Sequence, residues 1–134
     1  MANKKNTVLI VEDEIDLREL LKEKLNSKGF DVLEADNGKV GLDVAFSRHP
    51  DVILLDLVMP VMDGISMLKE LRRDKWGKNA TVIILSNLSE PEKMNESMEE
   101  NAYGYLVKSN WEPDDVVALI RGASRKVATE KEVE

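Results

Sequence analysis

The chain has no cysteine, which excludes disulfides, thiolate metal centres and a cysteine nucleophile, and makes a reducing cytoplasm the expected compartment. Positive charge is in short supply: 19 Lys and Arg face 26 Asp and Glu, and a net charge of −7 repels phosphate backbones. Lys4-Lys5, Arg72-Arg73 and Arg125-Lys126 are isolated basic pairs, and aromatics make up only 4% of the chain, so no basic stripe interleaves with stacking rings. Direct nucleic-acid binding is not expected. No apolar run approaches the length of a membrane span, and Met1 to Thr7 carry no signal-peptide core, so no membrane association is expected either.

What is present is an ordinary globular composition: 134 residues, 43% hydrophobic, enough for one domain with a single core. Short runs rich in Val, Ile, Leu or Tyr mark strands at Thr7–Val11, Asp31–Ala35, Val52–Leu55, Thr81–Leu85 and Gly104–Val107. Helical patterns lie between them. Leu17, Leu20, Leu21 and Leu25 stripe a helix over Ile15–Ser27 that Gly29 ends. Val40, Val44 and Ala45 line a second, between Asn37 and Pro50. Ile65, Leu68 and Leu71 line a third, capped by Asp63. Ser89-Glu90-Pro91-Glu92 has a capping-box pattern with Pro in the first turn, placing Met94 and Met98 inward on a fourth. Pro113 opens the fifth, striped by Val116, Val117, Ile120, Ala123 and Val127. The ordered core is expected over residues 6–127, with 128–134 a flexible charged tail.

Five strands alternating with five helices predict an α/β fold, a doubly wound parallel sheet with helices on both faces and strand order 2-1-3-4-5. In that order the first and third strands are neighbours and mark the topological switch point. Both deliver acid there. Asp56 follows the apolar run Val52-Ile53-Leu54-Leu55, and Glu12-Asp13-Glu14 follows Val8-Leu9-Ile10-Val11. Three carboxylates about 4 Å apart repel by roughly 4 kcal/mol per pair at an effective dielectric near 20, so a cation is required. All-oxygen ligands at a mouth open to water suit Mg²⁺.

The ordered set Val11-Glu12-Asp13-Glu14, Leu54-Leu55-Asp56-Leu57 through Met59-Pro60 and Asp63-Gly64, Ile84-Leu85-Ser86, and Gly104-Tyr105-Leu106-Val107-Lys108 resembles the receiver domain of two-component response regulators, over about residues 6–127. The resemblance implies a flavodoxin-like (βα)5 fold in which Asp13 and Asp56 bind Mg²⁺ directly, Glu12 acts through water, and the backbone carbonyl of Val58 completes the protein ligands. Asp56 would be the phosphorylated nucleophile. Lys108 and Ser86 would contact the phosphoryl group, and Ser86 with Tyr105 would form the switch. The phosphoryl group would come from a phosphohistidine on a sensor histidine kinase or a histidine phosphotransfer domain.

The expected protein is a stand-alone phosphoacceptor signalling domain rather than an enzyme, limited to self-phosphorylation and slow self-dephosphorylation. No output module follows residue 127, so its output is expected to be a protein contact through the face of the fourth helix, fifth strand and fifth helix. Phosphorylation-dependent dimerisation is one output such a face allows. Trp111 is either an exposed anchor on that face or packing over the Lys108 stem. His49, the only histidine, precedes Pro50 and reads as a surface turn residue, so the chain is not its own kinase. Glu14 and Asp63 read as caps or solvated loop charges.

Three departures from the family pattern stand out. Ser109 follows Lys108 where receivers usually have a cis-proline, and a trans Lys108–Ser109 peptide is expected because a non-proline cis bond costs about 3–4 kcal/mol. Asn87 replaces a small residue. Val58 and Leu88 are apolar where rapidly hydrolysing relatives carry polar side chains, which predicts a long-lived phosphoryl group. The alternative is a pseudo-receiver, an interaction module without phosphoryl turnover. A haloacid-dehalogenase phosphatase would need a second Asp at Val58, and a flavodoxin-like cofactor binder would need a Gly-rich phosphate loop that is missing.

Overall fold

The structure, a computed structural model, describes residues 6–86, 91–108 and 111–133, with side chains described as far as Ala123. Its elements run β1 (Thr7–Val11), α1 (Ile15–Ser27), β2 (Asp31–Ala35), α2 (Gly38–Arg48), β3 (Val52–Asp56), α3 (Gly64–Arg73), a 3₁₀ turn (Gly77–Asn79), β4 (Val82–Ser86), α4 (Pro91–Glu99), β5 (Gly104–Val107) and α5 (Pro113–Val133). The five strands form one parallel sheet in the order β2-β1-β3-β4-β5, as the alternating pattern predicts. Two strand ends differ from expectation in a way that matters. β3 extends through Asp56 and β4 is displaced by one residue to end on Ser86, because both residues stay in the hydrogen-bonded ladder, opposite Leu85 and Val107 respectively.

Alternation along each buried strand divides the core into two layers. Leu9, Val11, Ile53, Leu55, Val82 and Ile84 face α2 and α3, with Met94 of α4 packed at the margin. Val8, Ile10, Val52, Leu54, Ile83 and Leu85 face α1 and α5. Every one of these strand residues is fully buried, which is why the strands read as continuous apolar runs.

Several inward positions need correcting. Leu20 is 49% exposed, Val40 39% and Met98 43%. Each lies one position beside the true stripe. α1 buries Leu21 and Leu25, α2 buries Gly38, Gly41, Leu42 and Ala45, and α4 buries Ser97. Asp63 caps α3 as expected, its Oδ1 accepting from Ser66 N at 2.8 Å, and Asn37 caps α2 through Val40 N at 3.0 Å. Gly29 leaves α1 at φ +93°, a conformation that suits glycine. The Ser89-Glu90 capping box lies outside the described residues. His49 closes α2 in the left-handed region, and its ring stacks on Trp76 with centroids 4.2 Å apart. Trp111 packs, partly buried, against the layer beneath α1 and α5. α5 stays helical through the charged tail to Val133. Among the described residues no helix is long and apolar enough to cross a membrane.

Candidate functional site

The carboxyl ends of the strands converge on one edge. Glu12 and Asp13 follow β1, Asp56 ends β3, Ser86 ends β4 and Lys108 follows β5. Oxygen atoms of Glu12, Asp13 and Asp56 lie within 4.8 Å of one another, the one such acidic group among the described residues, so the predicted cluster forms. Glu12 is fully buried and Asp56 is 2% exposed.

Lys108 is the counter-ion. Its Nζ stands 2.9 Å from Asp56 Oδ2, 2.9 Å from Glu12 Oε1 and 3.1 Å from Glu14 Oε1. Glu14 is thus more than a solvated loop charge: it sits at the N-cap position of α1 without capping it and puts its exposed carboxylate on Lys108. Backbone groups hold the buried acids in place. Glu12 Oε2 accepts from Glu14 N at 3.0 Å and Asp56 Oδ1 from Val58 N at 3.2 Å. Glu12 N donates to Ala35 O at 3.0 Å, tying the site to β2. Gly64 lets the loop after β3 fold back, since a Cβ there would lie 2.2 Å from the Asp56 carbonyl oxygen.

Burial dominates the electrostatics. It pushes Glu12 up from 4.5 to about 8, against the Glu14 N–H and reinforced by the Asp56 charge. Burial also raises Asp56, against the pull of Lys108. Lys108 is itself partly desolvated, which lowers its basicity, but hydrogen bonds to Asp56 and attraction to Glu12 leave it above the ordinary lysine range. Without a divalent cation the acid pair therefore favours keeping a proton. Glu12 Oε1 shows the same shortage of positive charge: it is buried, and although Lys108 Nζ is near, no hydrogen bond of proper geometry reaches it. Hard oxygen donors, one of them unsatisfied, fit Mg²⁺.

Ser86 and Tyr105 are placed differently from the acids. The buried Ser86 hydroxyl donates to Met94 Sδ at 3.1 Å. Tyr105 is 49% exposed and turned away from the core. Val58 exposes 49% of its surface beside Asp56. Asn87, Leu88 and the Lys108–Ser109 peptide lie outside the described residues. Sequence reasoning overlooked Arg18, whose Nη1 donates to the Glu12 carbonyl at 2.8 Å, and the sulfur of Met94 as a polar partner. The signal for Arg18 was its place one turn after Glu14 on the face of α1 that carries Leu21 and Leu25.

Comparison with known proteins places this geometry. Residues 8–121 match the family model described as the response regulator receiver domain. The chain is 37% identical over 108 residues to sporulation initiation phosphotransferase F of Bacillus subtilis, covering 81% of this chain and 84% of that protein. It is 32% identical over 123 residues to the probable transcriptional regulator ycf27 of Porphyridium aerugineum, covering 92% of this chain but only 50% of that longer protein. Among solved structures, the Vibrio cholerae chemotaxis response regulator CheY4 superimposes with a TM-score of 0.82 at 30% identity, covering 90% of this chain and 99% of that one. The Francisella response regulator 1452 receiver domain does so with 0.83 at 31%, covering 92% and 99%. Sheet order, strand-end acids and sequence agree, and the chain belongs to the response regulator receiver domain family.

Proposed function

We infer that this chain is a phosphorylation-dependent switch that accepts a phosphoryl group on Asp56 from a phosphohistidine of a sensor kinase or phosphotransfer domain. The observation that carries the reading is Asp56 itself: a buried carboxylate at a strand end, within 4.8 Å of two other acids and paired to Lys108 at 2.9 Å. Asp13 and Asp56 would hold Mg²⁺ directly, Glu12 through water, with the Val58 carbonyl as a further ligand. When bound, Mg²⁺ supplies positive charge to the phosphoryl oxygens as the transfer proceeds.

The chain's own residues do the rest. An Asp56 carboxylate oxygen forms the new O–P bond as the P–N bond of the phosphohistidine breaks, and the departing imidazole keeps the electron pair and takes up a proton. Lys108, already on Asp56 Oδ2, is placed to neutralise an incoming phosphoryl oxygen without large reorganisation. Ser86 supplies a hydroxyl to the same group. The product, an acyl phosphate, carries more negative charge than the aspartate it replaces.

Readout through the α4–β5–α5 face fits the exposed apolar surface there, where Met98 is 43% and Tyr105 49% exposed. Association of two phosphorylated copies through that face is one form of readout, and the cysteine-free chain suits a reducing cytoplasm. The test is Mg²⁺-dependent labelling by a small phosphodonor such as acetyl phosphate. Stoichiometric label that acid or alkali removes is expected in the wild type, and none in Asp56→Asn. An unlabelled wild type would make the chain an interaction module without turnover.

A further inference from the structure

Three carboxylates surround one ammonium at the mouth of the site. Lys108 Nζ lies 2.9 Å from Asp56 Oδ2, 2.9 Å from Glu12 Oε1 and 3.1 Å from Glu14 Oε1. The three acids are not equivalent. Glu12 and Asp56 are buried and, with Asp13, form the group whose oxygens converge tightly enough to hold a cation. Glu14 stands outside that group, and its side chain is 62% exposed. Lys108 nevertheless donates a hydrogen bond of good geometry to Glu14, as it does to Asp56.

Glu14 also departs from what its position asks of it. It is the N-cap residue of α1, a place where the side chain of Asp, Asn, Ser or Thr usually accepts from a backbone N–H of the first turn. The Glu14 backbone does its part: its carbonyl accepts from Arg18 N at 3.0 Å, and its N–H donates to Glu12 Oε2 at 3.0 Å. The side chain makes no cap and reaches instead to Lys108 beyond β5. Helix stability is thereby given up for a contact with the site.

Lys108 is a rival of any metal bound there. Its two buried contacts are to oxygens of Glu12 and Asp56, and a cation held among those acids draws on the same negative charge while repelling the ammonium beside it.

We propose that Glu14 is a positioning residue for Lys108, the carboxylate that keeps the ammonium at the mouth of the site when Mg²⁺ claims the charge of Glu12 and Asp56. The proposal rests on the Mg²⁺ reading above. Glu14 suits the task because it is not one of the converging acids, so metal binding leaves its charge to Lys108. Little movement is needed, since the contact already exists. Lys108 stays beside Asp56, where an incoming phosphoryl oxygen meets it, and no longer competes for the buried oxygens. Without the Glu14 charge the ammonium has only the metal's own ligands to pair with, and it opposes metal binding.

The test is Mg²⁺ affinity, measured by calorimetric titration of the full chain at about 0.15 M salt, where exposed charges more than about 8 Å apart are largely screened. Glu14→Gln should bind Mg²⁺ about two- to fivefold more weakly, the scale of a part-exposed ion pair. Glu14→Asp keeps the charge but is one methylene shorter and is a good cap for α1. It should raise the melting temperature and still lose Mg²⁺ affinity as Glu14→Gln does, a split that neither a merely structural role nor charge alone would produce. In a Lys108→Met background neither substitution should change Mg²⁺ affinity. Wild-type affinity in either Glu14 variant, or a loss that persists in Lys108→Met, overturns the proposal and leaves the Mg²⁺ reading standing if the wild type binds and Asp13→Asn does not. A wild type that fails to bind Mg²⁺ removes both.

Discussion

Arg18 fastens α1 to the acid site by donating from Nη1 to the Glu12 backbone carbonyl at 2.8 Å while its Nε lies 3.3 Å from Glu34 Oε1 on β2. Lys22 approaches the second oxygen of Glu34 at 3.1 Å, so one β2 carboxylate organises two cations on adjacent turns of α1. Arg18 is only 16% exposed, and its bond to a carbonyl has a defined direction. Arg18→Ala is expected to destabilise the protein by about 1.5–3 kcal/mol, the range for a hydrogen bond to a charged group. Since Glu12 loses one of its two backbone anchors, Mg²⁺ should also raise the melting temperature less than in the wild type. A mutant that is less stable but responds to Mg²⁺ normally would assign Arg18 to folding alone.

Asp56→Asn should raise the stability of the metal-free protein. Burial lifts the Asp56 pKa, so the fold disfavours the charge, and Glu12 and Glu14 remain to hold Lys108 after the charge is removed. The same change should cut the stabilisation by Mg²⁺, which loses a ligand. Thermal melts with and without Mg²⁺ check both; a mutant clearly less stable than wild type in the metal-free state would show that the Asp56–Lys108 pair contributes more than the crowding costs.

Stability without metal should fall as pH rises from about 4.5 to about 8, the window between the ordinary and the buried pKa of Glu12. A carboxyl with a raised folded-state pKa binds more protons folded than unfolded across that window. Its contribution is complete below the lower value and lost through the upper one. Asp56 is shifted in the same direction and adds to the trend. Urea denaturation of wild type and Glu12→Gln across this range should give a shallower pH dependence in the mutant, and saturating Mg²⁺ should flatten the wild-type profile by favouring the ionised acids.

Phosphorylated protein should decay slowly, and Val58→Asn should accelerate the loss. Hydrolysis needs a water aligned with the scissile bond, and the half-exposed Val58 side chain beside Asp56 has no group to hold one. An amide there supplies a donor and an acceptor at little cost in packing. Following label loss after donor removal tests this: equal lifetimes in wild type and Val58→Asn would mean that the side chain at this position does not gate the water.

Much of the site was legible in the sequence because buried parallel strands must be nearly continuous apolar runs, and a carboxylate or amine at the end of such a run has to emerge at the sheet edge. Glu12, Asp13 and Asp56 followed from that rule, the strand order that brings them together from the alternation of strands and helices, and Lys108, after the half-buried β5, from the family resemblance. Leu20, Val40 and Met98 were harder. A helical stripe read from sequence is uncertain by one position, and the packing angle of each helix on the sheet selects which neighbour is buried. The contacts of Glu14 and Arg18 near Glu12, and of Met94 on Ser86, depended wholly on tertiary structure. Each joins a helix side chain to a strand end whose distance is set by how the whole layer packs, and local sequence carries no record of that distance.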